Sequence, residues 1–405
     1  MPRLLKIGLA AMMLLATVVA ANAAPPKLPY GPEGKGRFGA YYTTLKYIPD
    51  WDAQWRVGSK ADVVVRFDQY DYRLVFWRGT NYVPFWVNEK RAWYSNGCVE
   101  REDASPKWDK LCRYSFASVI ESNDARVVVR WRYALLDKDG KLVNTDPMTN
   151  WNDWVDEYYT IYPDALGIRK MTLYSSVLAE PVSRQQCTVV TNPGGKPSGR
   201  VVREKVLGHV DLEGADPFYA MYSKYSFKSD SSTAFSDWPV SGIAGPASDR
   251  PGCGILGRVS EWEGRRRDKD SFTWLMMTGF TDSRSVDQKA LWSWLLAPKI
   301  ASTGCTYSGY DEGERAYQLS CAAPTALKLK LNASAGSPLY NPAFVIKAWG
   351  RTDISLSIDG KPIPRGPDFR YGFRKTDTVS DLIIWVKKQS TKPVTFEIKP
   401  VGGGK

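Results

Sequence analysis

The stretch ARVVVRWRYALL, residues 125–136, decides the fold. Its apolar residues return at every second position, the period of a β-strand whose side chains alternate between two faces. Val127, Val129, Trp131 and Tyr133 then share one face, and Arg126, Val128, Arg130 and Arg132 share the other. A sheet packed on one side and open on the other has this pattern.

Working outward, the same signature recurs. ADVVVRF (61–67), YRLVFW (72–77), EYYTIY (157–162), IRKMTLYS (168–175), FTWLMM (272–277), LKLKLNA (327–333), AFVIKAW (343–349), ISLSI (354–358), DLIIWVKK (381–388) and VTFEIK (394–399) are rich in β-branched and aromatic residues and are separated by turn formers. Helical spacing is scarce: SVDQKALWSWLLAP (285–298), closed by Pro298, is the best candidate and DPFYAMYSKY (216–225) a weaker one. The chain therefore reads as all-β. The expected architecture is a large antiparallel β-sandwich over 24–325, open to extension by extra strands, followed by a small β-sandwich over 326–405. The breaks AAPTA and NASAGSPLYNPA set that boundary, while 191–200 and 236–254 read as loops or lids.

Residues 1–23 read as an export signal: Arg3 and Lys6, then an apolar run too short for a comfortable span, then the small-residue site Ala21-Asn22-Ala23. No later stretch is apolar for long enough to span a membrane, so the expected product is secreted or periplasmic. The formal net charge is +12, of which Arg3 and Lys6 supply two. Such a balance suits an anionic partner, and export turns the expectation from nucleic acid to an acidic polymer. The densest basic run, Arg265 to Arg267, is bracketed by Glu261, Glu263, Asp268 and Asp270 and reads as a solvated loop.

Six cysteines in an exported chain favour disulfides. Hairpin-like separations pair Cys98 with Cys112 and Cys305 with Cys321, leaving Cys187 with Cys253, among fifteen arithmetically allowed pairings. With a single histidine, His209, a histidine-rich metal centre is excluded. No cofactor fingerprint is present. A calcium site of oxygen ligands stays open, with Asp50 and Asp52 as contributors.

Candidate chemistry gathers in three places. Arg126, Arg130 and Arg132 form a basic stripe whose planar forks suit carboxylate or sulfate, although the same arginines also fit a solvent face laced with cross-strand ion pairs. The following hairpin carries Asp156, Tyr158, Thr160 and Tyr162 on one face, and a tyrosine among cations can act in proton transfer. The loop after YRLVFW brings Trp77, Arg78, Asn81, Tyr82 and Trp86 together, either as sugar-stacking rings with polar neighbours or as a satellite core. Asp153, Asp156 and Glu157, beside Trp151 and Trp154, are the alternative carboxylates of a glycoside hydrolase. His209 is suited to proton transfer at neutral pH, although a lone histidine is more often structural than catalytic.

The blocks DVVVRF (62–67), LVFWRGTNYVPFWV (74–87), ESNDARVVVRWRYAL (121–135), DEYYTIYPD (156–164) and SPLYNPAFVIKAWG (337–350) resemble a family of exported bacterial all-β proteins akin to polysaccharide lyases of the ulvan-lyase kind. The resemblance covers much of residues 45–175 and the C-terminal segment. It implies β-elimination beside a uronate, with Arg78, Asn81 and Arg130 facing the carboxylate and Tyr158 or His209 removing a proton. This chain departs from the pattern. RYSF (113–116) places Phe116 where the family has histidine, AEPVSRQQC (179–187) replaces an acidic segment, and PGGKPSG (193–199) lacks an acidic residue. The expectation is a lyase-like protein acting on an acidic polysaccharide. The departures favour a non-catalytic carbohydrate-binding or envelope protein as the alternative.

Overall fold

The structure, a computed structural model, describes residues 36–43, 61–70, 73–78, 81–87, 93–95, 98–101, 103–109, 111–175, 186–190, 201–205, 271–279 and 284–401. The signal segment, Asp50, Asp52, His209, Cys253, the Arg265–Arg267 run, the 216–225 helix candidate and the loops at 191–200 and 236–254 lie outside the described residues, as does the Cys187 side chain.

The fold is all-β. In the first unit, β1 (Gly39–Thr43), β2 (Asp62–Arg66), β3 (Arg73–Phe76), β4 (Pro84–Val87) and β5 (Trp93–Ser95) run as an antiparallel meander, extended by β10 (Gln186–Val190) and β11 (Val201–Lys205) into a seven-stranded sheet. A five-stranded sheet packs against it, built from β6 (Ser115–Ser122), β7 (Val127–Ala134), β8 (Trp154–Ile161), β9 (Leu166–Tyr174) and β12 (Ser271–Gly279) in the order β12-β9-β8-β7-β6. Val63, Val65, Phe67, Leu74 and Phe76 from one sheet share a core with Val127, Val129, Trp131, Tyr133, Val155 and Tyr159 from the other. Phe76 meets Tyr159 edge-on at 5.2 Å between ring centres.

That core holds an ion pair. Arg169 donates from Nε and Nη2 to the two Glu157 oxygens at 2.7 Å each, both side chains fully buried. The Tyr133 and Tyr159 hydroxyls donate to the same carboxylate at 2.7 Å, and the Val99 N–H donates to the Tyr133 oxygen at 2.8 Å. Burial opposes the Arg169 charge, yet the Glu157 carboxylate more than offsets it and raises the guanidinium pKa. Both phenols are pushed well above their ordinary value, by burial first and then by Glu157.

The second unit has two five-stranded sheets. One orders β13 (Ile300–Thr303), β16 (Leu327–Leu331), β24 (Val394–Val401), β19 (Asp353–Ile358) and β20 (Lys361–Ile363). The other orders β14 (Thr306–Asp311), β15 (Ala316–Ser320), β18 (Ala343–Lys347), β22 (Asp381–Val386) and β21 (Phe369–Arg374), and β17 (Leu339–Tyr340) pairs with β23 (Gln389–Ser390). Because the chain changes sheet between β15 and β18, these two lie parallel. Strands upstream of residue 326 pair with strands downstream of it, so this unit starts at Ile300 and the 325/326 boundary read from the sequence cuts through it. The expected Cys305–Cys321 disulfide closes the β14–β15 hairpin.

The expected Cys98–Cys112 bridge is not formed. The Cys98 thiol donates to Glu100 Oε1 at 3.3 Å and the Cys112 thiol to the Ser115 carbonyl at 3.5 Å. Hairpin-like spacing sets a bridge only where paired strands bring the Cα atoms together, and both residues lie on irregular segments.

Helix α1 (Arg284–Leu295) forms where spacing predicts it and seats Ala290, Leu291 and Trp294 on Leu166, Ile168 and Met277 of the five-stranded sheet. Among the described residues no helix is long and apolar enough to cross a membrane.

The two units meet through charge. Glu314 Oε2 accepts from Arg126 Nη1 at 2.8 Å and Oε1 from Arg374 Nη1 at 3.3 Å, while Asp164 accepts from Arg315 Nη2 at 3.0 Å and Asn341 Nδ2 at 3.0 Å. Around them Ala125 and Tyr162 pack on Ala316, Ala343, Val345, Ile383 and Trp385.

Two outcomes follow. Arg169→Ala strands a carboxylate in the sandwich and is expected to cost about 3–5 kcal/mol in denaturant unfolding, with Glu157→Leu in the same chain restoring most of it; a loss below about 1 kcal/mol would contradict a desolvated pair. At the interface, burial opposes ionisation of Glu314, but Arg126 and Arg374 prevail and hold its carboxyl below the ordinary 4.5. A lowered folded pKa contributes stability above the unfolded value and loses it as pH falls through the folded one. Thermal midpoints of wild type and Glu314→Gln should therefore differ most near neutrality and converge as acidification passes below the ordinary 4.5 and through the lowered folded value.

Candidate functional site

The outer face of the five-stranded sheet is where candidate residues meet. Alternation along β7 and β8 turns Arg130, Arg132, Trp154, Asp156 and Tyr158 outward, opposite the buried Glu157 and Tyr159. Register assembles them into rows across the strands. Arg130 stands opposite Tyr158, which stands opposite Lys170; Arg132 stands opposite Asp156, then Thr172 and Thr273; Trp154 stands opposite Tyr174.

Asp156 organises the two arginines. Arg130 approaches its Oδ1 at 2.8 Å and Arg132 Nη1 its Oδ2 at 3.2 Å. The arginine side chains are 25% and 22% exposed, so each guanidinium keeps an outward edge. Arg132 lies 4.9 Å from the Trp154 ring centre and Arg130 5.8 Å from that of Tyr158, and Tyr114 meets Trp154 edge-on at 6.3 Å. With Lys170 the cluster carries three cations against one carboxylate. Tyr174, exposed at the strand end, has its phenol raised by burial and by Asp156 and Tyr158, which outweigh Arg132 and Arg130. The loop entering β8 exposes Met148 and Trp151.

One side of this platform is closed. Helix α1 covers Ile168 and Met277, the next row of the same face, and the turn after β14 brings Gly313 against Lys170 and Leu275.

Several sequence candidates lie elsewhere. Trp77, Tyr82 and Trp86 are at most 1% exposed and belong to the first core, so they offer no stacking face. Trp86 Nε1 donates to Thr278 Oγ1 at 2.8 Å, and the Tyr82 hydroxyl to the Ala61 carbonyl at 3.1 Å. Asn81 is a turn residue, with φ 59°. Its Nδ2 donates to the Pro106 carbonyl, and its own carbonyl accepts from Ser115 Oγ, which also accepts from Trp131 Nε1. The Arg78 N–H donates to Asp62. The loop is a key between the sheets, and Arg78 and Asn81 stand apart from Arg130 and Tyr158.

Arg126 is also displaced from the stripe. Asn123 Oδ1 accepts from the N–H groups of Ala125 and Arg126, and this turn holds residue 126 ahead of β7. Its buried guanidinium grips Glu121 at 2.7 Å and Glu314 at 2.8 Å. The proposed hydrolase carboxylates diverge. Asp153 is buried with Arg101 and Asn144, Glu157 with Arg169, and Asp156 lies on the opposite face.

Tyr174, Thr172, Lys170 and Tyr114 belong to the platform without having been singled out in the sequence. The signal was available, since IRKMTLYS alternates Lys170, Thr172 and Tyr174 on one face. Among the described residues no group of three or more His, Cys, Asp or Glu side chains is placed to hold a metal ion.

No protein-family model and no curated protein matches this chain. The two tryptophans give a direct test of the assignment. Trp86→Ala should cost about 3–5 kcal/mol of stability because it empties a packed site. Trp154→Ala, at a half-buried surface position, should cost about 1 kcal/mol or less in the same unfolding assay and act instead on ligand binding.

Proposed function

We propose that this chain is an exported carbohydrate-active protein that holds an acidic polysaccharide on the outer face of its five-stranded sheet. The observation that carries this reading is the pair Arg130 and Arg132, adjacent on one face, tied by a shared Asp156 and flanked by the rings of Trp154, Tyr158 and Tyr174. Guanidinium edges suit carboxylate or sulfate, and aromatic rings suit the apolar faces of sugars. The signal-like first residues support export.

Elimination is the second reading, favoured by Tyr158 standing in register with Arg130. Tyr158 as phenolate would take the proton beside the uronate carboxylate, Arg130 would stabilise the charge spreading into that group, and a carbon–carbon double bond would form as the glycosidic C–O bond breaks, the leaving oxygen gaining a proton. Phe116 counts against it. It lies opposite Arg132 on this same face, so the position where the resembling family carries histidine adjoins the platform but carries no base.

Binding and turnover are separable by measurement. With a panel of acidic polysaccharides, Arg130→Ala and Arg132→Ala should each weaken binding about tenfold, and added salt should weaken it further. Ultraviolet absorbance from unsaturated uronates that Tyr158→Phe abolishes would assign elimination; a flat trace with intact binding would leave the platform as a holder. Failure to bind any member of the panel would overturn both readings.

A further inference from the structure

We propose that the turn Asp311–Arg315 of the C-terminal unit is the specificity wall of the platform, selecting acidic polysaccharides of low charge density. This rests on the reading that the platform holds such a chain, and it assigns the second unit a direct part in recognition.

The turn touches the platform floor. A Cβ at Gly313 would lie 3.4 Å from Lys170 Cδ, 3.6 Å from Leu275 Cδ2 and 3.2 Å from Asp311 Oδ1. Lys170 and Leu275 continue the row of Arg130 and Tyr158, so the turn that carries Asp311 stands at the end of the row that Arg130 begins.

The wall is fixed from both units. Asp311 Oδ1 accepts from the Glu314 N–H at 3.1 Å, and the Glu312 carbonyl accepts from Trp294 Nε1 at 2.7 Å. The Glu314 carbonyl accepts from the Tyr162 hydroxyl at 2.5 Å, its carboxylate is held by Arg126 and Arg374, and Arg315 is locked onto Asp164. Glu314 and Arg315 thereby spend their charge inside the interface. Asp311 is exposed and Glu312 half-buried, and these two carboxylates give the wall its sign.

The floor is thus cationic at Arg130 and Arg132 and bordered by anions beyond Lys170. Two inter-strand steps separate Arg130 from Lys170, about 10 Å. A polymer charged on every sugar that anchors on the arginines sets a further anion against Asp311, where like charges repel. A sparsely charged polymer sets a neutral sugar there.

The test compares polymers that share a backbone and differ only in charge density, pectin and alginate series with graded esterification of their carboxylates. Asp311→Asn with Glu312→Gln removes both charges while keeping the acceptor for the Glu314 N–H, and equal thermal midpoints verify that the fold is intact. The variant should bind the fully charged polymer about threefold or more tighter and the sparsely charged one with wild-type affinity, and added salt should shrink the difference. Asp311→Asn alone should give part of the shift. An equal change for both polymers, or none, overturns the wall while leaving the platform reading standing. If wild type binds neither series, the platform reading falls and the wall with it.

Discussion

Everything on the outer face depends on one interaction inside the sandwich, the bidentate pair of Glu157 and Arg169. Taking two charges out of water carries a desolvation cost that only close geometry and further hydrogen bonds offset. The two tyrosine hydroxyls supply those bonds, so the carboxylate accepts four donors from Arg169, Tyr133 and Tyr159. The donors come from β7, β8 and β9, which makes the network a register lock. A slip of one residue in any of these strands would turn a member of the network outward and a platform residue inward. Because Glu157 must face in, Asp156 and Tyr158 face out; because Arg169 must face in, Lys170 faces out. The outer face is the complement of the buried pair.

The far end of the same hairpin is held by the second unit. Gly167 has no room for a side chain, since a Cβ there would lie 2.4 Å from the Thr160 carbonyl, and Gly279, with φ +137°, would meet the Ala165 carbonyl at 2.1 Å. Three interface residues other than glycine, Ala165, Arg315 and Asn341, adopt left-handed backbone with φ of 58°, 50° and 42°. Such conformations persist where surrounding contacts over-determine them. Here Asp164 receives both Arg315 and Asn341, and Arg315 also lies over the Tyr162 ring at 4.7 Å. The hairpin carrying Trp154, Asp156, Tyr158, Lys170 and Tyr174 is therefore clamped at its middle by the ion pair and at its tip by the second unit.

The alternation of residues 127–133 was legible because a sheet with one wet face writes its orientation into the sequence at period two. The cross-strand ion-pair reading of Arg130 and Arg132 is what the structure shows: Asp156 holds both arginines, whose side chains stay partly exposed. The cluster from Trp77 to Trp86 misled for a physical reason. On β2 and β3 successive residues, Val63 to Val65 and Leu74 to Phe76, are all buried, so these strands are covered on both faces and the aromatic residues beside them carry no inside-or-outside signal. Arg126 leaves the exposed stripe because its guanidinium is buried between Glu121, opposite Val128 on the same face, and Glu314 of the second unit, a cover that strand period does not report. Cysteine spacing identified the hairpin bridge at Cys305 and Cys321, and failed at Cys98 and Cys112 because no hairpin joins them.

Asp156 acts on the two arginines and on a neighbouring phenol at once. A phenol serves as a base only where its surroundings favour the anion, and the described tyrosines with shifted values all move the other way, Tyr174 on the platform among them. Asp156 contributes to this, since the carboxylate that orients both arginines also places a negative charge beside the phenol of Tyr174. The same carboxylate fixes the two guanidinium planes before any ligand arrives, and groups ordered in advance lose less freedom on binding. One carboxylate thus pre-orders the arginines and raises the Tyr174 phenol together.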